Sequence, residues 1–221
     1  MKKQSEDTCI HMFSGGRDST LAAVRLTGSW EKLVLVTATA QDLKGLNRVK
    51  QRLVELKPYL PCNTEWLNIA LPSSLSKNQH SRLTTCLSCH HSYLVIGAMV
   101  AESFGSSHLA LGYTGYQSSW VEQTPYAIES LREIMSSIGL NIVLPVLDIV
   151  NKEKANEELR SYRLSEISLE QKCVRQLIDP NLQGDLLRLE VDQMAKQLIQ
   201  VLANRNSMSL NIVDRILLND L

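Results

Sequence analysis

The chain has 221 residues, 44% hydrophobic and 21% charged, enough for one sizeable core or for one core with a small appendage. Its 23 Lys and Arg balance 23 Asp and Glu, which excludes the broad basic field that draws nucleic acid to a surface, though not a local basic patch. No run of 18 apolar residues predicts a membrane span, and the short apolar stretch after the polar Met1–Asp7 cannot form a signal-peptide core. A cytoplasmic chain with no membrane partner is expected.

In chain order, residues 8–13 (Thr-Cys-Ile-His-Met-Phe) read as a buried strand, followed by a Gly-Gly turn and a helix over 19–27. Residues 33–40 are apolar and β-branched, a second strand. Leu46, Val49, Leu53 and Leu56 mark a helical face that ends near Pro58. A third strand is predicted over 64–71 and a polar loop over 72–85. A helix from Ser88 to Phe104 leads to a fourth strand, 108–112, closing on Gly112. After an irregular stretch, Ile128, Leu131, Ile134, Met135 and Ile138 predict a helix stopped by Gly139. The fifth strand is 141–150, its internal proline pointing to an edge or a strand end. A charged helix over 151–163, another carrying Leu187 to Leu202, and a last one over 208–219 complete the reading.

This alternation predicts an α/β fold with a parallel five-stranded sheet, helices on both faces and additional C-terminal helices. Ligands of such sheets bind at the carboxyl ends of the strands, which directs attention to 14–19, 37–42, 112–125 and 151–154.

After the first strand comes Ser14-Gly15-Gly16-Arg17-Asp18-Ser19-Thr20, turning into a helix. The glycines permit a tight turn that brings backbone N–H groups near a ligand, and the helix start adds partial positive charge. Ser14, Ser19 and Thr20 add hydroxyls, a set suited to a polyphosphate. Asp18 repels phosphate unless a cation intervenes, so Mg²⁺ bridging Asp18 and pyrophosphate is expected.

Of the five cysteines, Cys86 and Cys89 form a Cys-x-x-Cys pair at a helix start, a place that favours thiolate and metal binding. The odd count argues against a disulfide framework. With Cys173 the pair can hold three irons of a [4Fe-4S] cluster, or Zn²⁺ with His90 or His91 as fourth ligand. Cys9 and Cys62 read as packed thiols, and His11 and His108 as packed strand residues.

The string Ser-Gly-Gly-x-Asp-Ser after an N-terminal strand is neither a Walker loop nor a dinucleotide fingerprint. It closely resembles the signature of the PP-loop ATP pyrophosphatases, the adenine nucleotide α-hydrolase-like (HUP) family. The order of elements matches that family over about residues 8–173. The resemblance implies a Rossmann-like fold, with residues 1–173 as the ATP pyrophosphatase domain and 174–221 as a C-terminal helical segment. That segment is free to pack on the sheet, form a homodimer or hold a partner protein. ATP would lie with its phosphates on Ser14, Gly15, Gly16, Arg17, Asp18 and Ser19, and its adenine near Thr37, Ala38 and Thr39. Gly112 joins this cofactor-binding set at the end of the fourth strand. Asp18 and Lys152 are the catalytic candidates, Lys152 because family members often carry a lysine at that place.

By the same resemblance, the enzyme adenylates an oxygen of a second substrate, releases pyrophosphate, and lets a nucleophile displace AMP. The order of phosphate loop, Cys-x-x-Cys and distant cysteine is similar to the cluster-dependent tRNA thiolation enzymes, which implies replacement of a nucleobase oxygen by sulfur. Those enzymes carry Gly-His-His-x-Asp-Asp after strand four, where this chain has Gly112-Tyr113-Thr114-Gly115-Tyr116-Gln117. Residues 115–125 and 164–173 instead look like the 7-cyano-7-deazaguanine synthases, ligases with a nitrogen nucleophile and a zinc site; 164–173 then reads as a helix leading to Cys173. A tRNA substrate is not supported by the balanced charge. A third alternative is a non-catalytic ATP-binding subunit of a larger complex. Tyr113, Tyr116 and Trp120 offer rings on which a base can stack, and Ser118, Ser119, Glu122 and Gln123 offer polar recognition.

Overall fold

The computed structural model describes residues 8–72, 75, 85–174 and 181–221; Met1–Asp7 and most of the predicted 72–85 loop lie outside these. The elements run β1 (Thr8–Met12), α1 (Arg17–Leu26), β2 (Lys32–Thr39), β3 (Leu43–Lys44), α2 (Leu46–Leu56), β4 (Glu65–Ala70), α3 (Leu87–Phe104) and β5 (His108–Ala110). They continue with α4 (Pro125–Ser137), β6 (Asn141–Val143), α5 (Lys152–Ser161), β7 (Lys172–Cys173), α6 (Gly184–Ala203) and β8 (Asn211–Leu217).

The central sheet has the order β6-β5-β1-β2-β4-β8. All its pairings are parallel except β4 with β8. The five strands read from the sequence are therefore its five parallel strands. From β1 the chain moves outward through β2 to β4, then returns to the other side of β1 as β5 and moves outward again to β6. The order thus reverses between β1 and β5, the position at which open α/β sheets bind ligands.

Side-chain alternation explains the layers. Cys9, Leu33, Leu35 and Trp66 face a core shared with Leu21, Val49, Leu53 and Leu159 of α1, α2 and α5. Ile10, Val34, Val36 and Leu67 face the opposite core with Val95, Leu131 and Leu198 of α3, α4 and α6. Each such side chain, fully buried, contributes about 1.5–3 kcal/mol, so both faces must be covered. A satellite cluster, with Leu87, Val121, Ala127, Val191 and Met194, joins the N-terminal ends of α3 and α4 to α6.

Four expectations are corrected. Residues 208–219 were expected to form a helix, but strand β8 occupies 211–217 and only the short turn Leu218–Asp220 is helical. Val213 and Leu217 have helical spacing, yet the open backbone groups of β4 need partners, and the β-branched Ile212, Val213 and Ile216 suit that edge. The fifth strand stops at Val143, because Pro145 has no N–H to donate to a ladder. Residues 164–171 form no helix: they run as an irregular strap to β7, which pairs antiparallel with β3. Cys62 is exposed, whereas Cys9 is fully buried and its thiol is pushed up to about 12 by burial.

Candidate functional site

A cavity of about 570 Å³ opens at the carboxyl ends of β1, β2 and β5. It brings together Ser14, Gly16, Arg17, Asp18, Ser19, Thr37, Ala38, Gly112 and Cys173. Of the other predicted residues, Gly15, Thr39, Cys86, Cys89 and Lys152 do not line it. Lys152 is exposed at the start of α5, where the Asn151 side chain accepts the Lys154 amide.

The phosphate loop is held by its own hydroxyls. Ser14 Oγ accepts the Gly16 amide and lies 3.0 Å from Ser19 Oγ, while Thr20 Oγ1 donates to the Gly16 carbonyl at 2.6 Å. Gly15 has φ 79°, the left-handed region that a β-carbon disfavours. No side chain caps α1 at Gly16, which leaves its first amides to an anion. His11 lies fully buried beneath, its Nε2 2.8 Å from the Ser19 carbonyl and its Nδ1 3.2 Å from that of Ala110. Burial holds His11 below its ordinary pKa, so the neutral ring packs here, as the sequence predicts. Gly112 is required by close approach: a β-carbon there would stand 2.8 Å from Ser19 N and Ser19 Cα.

Asp18 faces the cavity. Burial lifts its carboxyl above the ordinary range; the Tyr116 hydroxyl, donating at 2.7 Å, and the Arg17 charge oppose this, while Glu170 adds to it. Tyr116, expected as a stacking ring, thus holds the aspartate. Trp120 lines the cavity half-exposed, and Tyr113 is buried with its hydroxyl 3.3 Å from His90 Nδ1.

The strap from Ser165 to Gln171 lies across the loop. Arg52, fully buried, donates to the carbonyls of Ser165 and Ile167, and Arg48 donates to that of Ser168. The Leu169 amide donates to the Gly15 carbonyl, and Gln171 Nε2 to that of Ala38 at 3.0 Å. The strap thereby sets Glu170 over the loop, its Oε2 2.6 Å from where a Gly16 β-carbon would stand. It continues into β7, where Cys173 pairs with Leu43. Sequence reasoning missed Glu170, Gln171 and Leu43, because two-residue strands and irregular straps carry no periodic signal.

The three candidate metal-binding cysteines all act electrostatically on Tyr93, a cavity residue of α3. Its phenol is raised far above the ordinary value, first by burial and then by the charges of Cys89, Cys173, Cys86 and Asp42. Three thiols within electrostatic reach of one phenol have the donor chemistry of a thiolate-ligated metal group. No three His, Cys, Asp or Glu side chains among the described residues stand as one ion requires. As placed, the trio is therefore not a ready-made site for one ion, while its thiols keep the donor chemistry of a thiolate-ligated group. His90 lines the cavity, while His91 packs against α6, where burial and the His90 charge push it down to about 4.

The strand order and the cavity at the reversal point belong to an α/β fold that matches the HUP/PP-loop fold. No family model matches the chain, and no curated protein matches its sequence. Solved structures match the fold. A 4-thiouridine synthetase in complex with RNA and ATP aligns at a TM-score of 0.65 and 15% identity, over 94% of this chain and 55% of the other. The U34-tRNA thiolase NcsA from Methanococcus maripaludis, with its [4Fe-4S] cluster, aligns at 0.51 and 11% identity over 93% and 74%. The NMN synthetase from Francisella tularensis aligns at 0.50 and 10% identity over 94% and 89%. The chain thus spans little more than half of the thiouridine synthetase, and what it shares at these identities is the fold. Among the described residues no helix is long and apolar enough to cross a membrane.

Proposed function

We propose that the chain is an ATP-dependent enzyme that transfers AMP to an oxygen of a nucleobase-like acceptor and releases pyrophosphate, after which sulfur replaces the adenylated oxygen. The observation that carries this reading is the single cavity uniting the loop residues Ser14 to Ser19, the strand end Thr37–Ala38, and Cys173. The acceptor oxygen attacks the α-phosphorus, the bond to the β-phosphate oxygen breaks, and pyrophosphate departs. A sulfur nucleophile then adds to the acceptor carbon and AMP leaves with the former oxygen.

Catalysis here is positioning and charge neutralisation. The loop amides and the α1 terminus receive the phosphates. Asp18 would hold Mg²⁺, which when bound would neutralise phosphate charge, and the Tyr116 hydroxyl donates to the Asp18 carboxylate and orients it. Cys86, Cys89 and Cys173 would hold a [4Fe-4S] cluster, which when bound would supply the sulfur nucleophile.

The test is pyrophosphate release with Asp18→Asn as control, alongside iron and zinc content after anaerobic purification. Acceptor-dependent pyrophosphate, lost in the variant, and iron lost on Cys86→Ala, Cys89→Ala or Cys173→Ala support the reading. ATP binding with no pyrophosphate for any acceptor replaces it with the binding-subunit reading. Stoichiometric zinc without iron replaces sulfur with a nitrogen nucleophile.

A further inference from the structure

Glu122, one of the loop residues read as offering polar recognition, lines the cavity. It is 3% exposed and sits on the short helical turn Val121–Gln123, which packs against α3, α4 and α6. His90 Nε2 lies 3.4 Å from its Oε1. The other oxygen, Oε2, is buried and has no hydrogen-bond partner among the described residues. A buried carboxylate oxygen left unmade costs more than a neutral one, so a site that keeps it open is completed by a donor. The cavity is where that donor enters, since Glu122 lines it together with Gln123, Trp120 and Tyr113.

The neighbours restrict what it accepts. Gln123 is committed: its Oε1 accepts the Thr114 amide at 3.0 Å and its Nε2 donates to Gln117 Oε1 at 2.7 Å. Tyr113 is turned to His90. The unsatisfied group on this wall is thus a buried acceptor, and the half-exposed Trp120 indole lines the same cavity with a flat apolar face. A carboxylate facing a base edge pairs with an amino group and repels carbonyl oxygens. A uracil-type edge, one N–H between two carbonyls, presents it with at least one repulsive neighbour. A guanine or cytosine edge presents an exocyclic amino group.

We propose that Glu122 is the specificity-determining residue of the acceptor site, and that it selects an acceptor base carrying an exocyclic amino group over a uracil-type base. This rests on the functional reading above. It narrows that reading, because a uridine acceptor is the substrate it disfavours.

The experiment is calorimetric titration of the full chain with guanosine, inosine, cytidine and uridine, each with and without Mg²⁺ and a non-cleavable ATP analogue. Guanosine and inosine differ by the 2-amino group alone, so the wild-type comparison needs no variant. Guanosine or cytidine should bind at least tenfold tighter than inosine or uridine, as expected for one charge-assisted hydrogen bond. Glu122→Gln should erase that difference and leave the affinity for the ATP analogue unchanged, with a thermal melt confirming the fold. Equal binding of all four nucleosides, binding of none, or preference for uridine overturns the proposal. So does a Glu122→Gln variant that weakens the ATP analogue, since Glu122 would then read adenine. Failure of the analogue to bind, with nucleoside selectivity intact, instead counts against the ATP-dependent reading alone.

Discussion

Replacing Gly112 by Ala tests whether the end of β5 must touch the phosphate loop. The added β-carbon would stand 2.8 Å from Ser19 N and Cα and 3.0 Å from the Asp18 carbonyl carbon, all main-chain atoms. Carbon contacts settle at about 3.5–4.0 Å, so loop or strand must retreat by about 0.7–1.2 Å. Overpacking of this kind costs about 1–3 kcal/mol, or a Tm lower by about 2–12 °C for a chain of this size. Because the moving part carries Asp18 and Ser19, pyrophosphate release should fall by about a hundredfold, the usual effect of a 1 Å misplacement. Gly97→Ala is the control. Its β-carbon would meet Leu109 Cδ1 at 2.9 Å and Met12 Sδ at 3.0 Å, both ends of flexible side chains. About 1 kcal/mol of helix propensity in α3 offsets that crowding, so activity should stay near wild type. The assay is a thermal melt paired with pyrophosphate release per folded molecule. A Gly112→Ala protein with wild-type Tm and wild-type release would refute the reasoning.

Two further outcomes follow from charge. Tyr116→Phe removes the hydrogen bond that stabilises the Asp18 carboxylate, so the acid limb of the pyrophosphate-release profile should move to higher pH; an unmoved limb would separate Tyr116 from Asp18. Asp18 is raised in the folded state, so its contribution to stability is full below its unfolded pKa and is lost as pH rises through the folded one; Asp18→Asn should therefore raise the Tm of the ligand-free protein at neutral pH. Burial alone would raise Glu65, but Lys32 at 2.5 Å and Arg215 at 2.7 Å outweigh it and hold the carboxyl below its ordinary value. That contribution is present above the unfolded pKa and lost as pH falls through the folded one. Arg215 is largely exposed, so Arg215→Ala should cost about 0.5–1 kcal/mol near neutrality and little in acid, read from melts across pH; an equal loss at every pH would mean packing.

What was legible in the sequence was what is local. The five parallel strands carry short apolar runs, and Ser14 to Ser19 announce their turn within six residues, so the fold and one end of the cavity follow from neighbours in the chain. The other end depends on contacts across more than a hundred residues. Arg52 fixes the strap through Ser165 and Ile167, and β3 fixes Cys173, although neither segment shows a period or a cap. Strand β8 was misread for a related reason: Ile212 and Ile216 become strand residues because β4 waits beside them, and their own spacing does not say so. Glu122 and Tyr116 were visible as a polar residue and a ring of an irregular loop, but only the fold sets one on the cavity wall and the other against Asp18.

The zero net charge has a local counterpart that makes a demand on the ligand. Among the cavity residues, Arg17 stands against Asp18, Glu122 and Glu170, so the lining carries more negative charge than positive when these are ionised. A triphosphate entering alone would meet this field at distances where two unit charges interact by about 4 kcal/mol at 4 Å, at an effective dielectric near 20. The loop amides supply dipoles, and dipoles of a helix terminus contribute only about 0.3–2 kcal/mol. ATP should therefore bind as its Mg²⁺ complex, with affinity falling at least tenfold when Mg²⁺ is removed by a chelator. Glu170→Gln should recover part of that loss, because its carboxylate faces the loop at Gly16. Equal ATP affinity with and without Mg²⁺ would mean that the amides and Arg17 suffice, and that Asp18 faces the cavity for a purpose other than holding a cation.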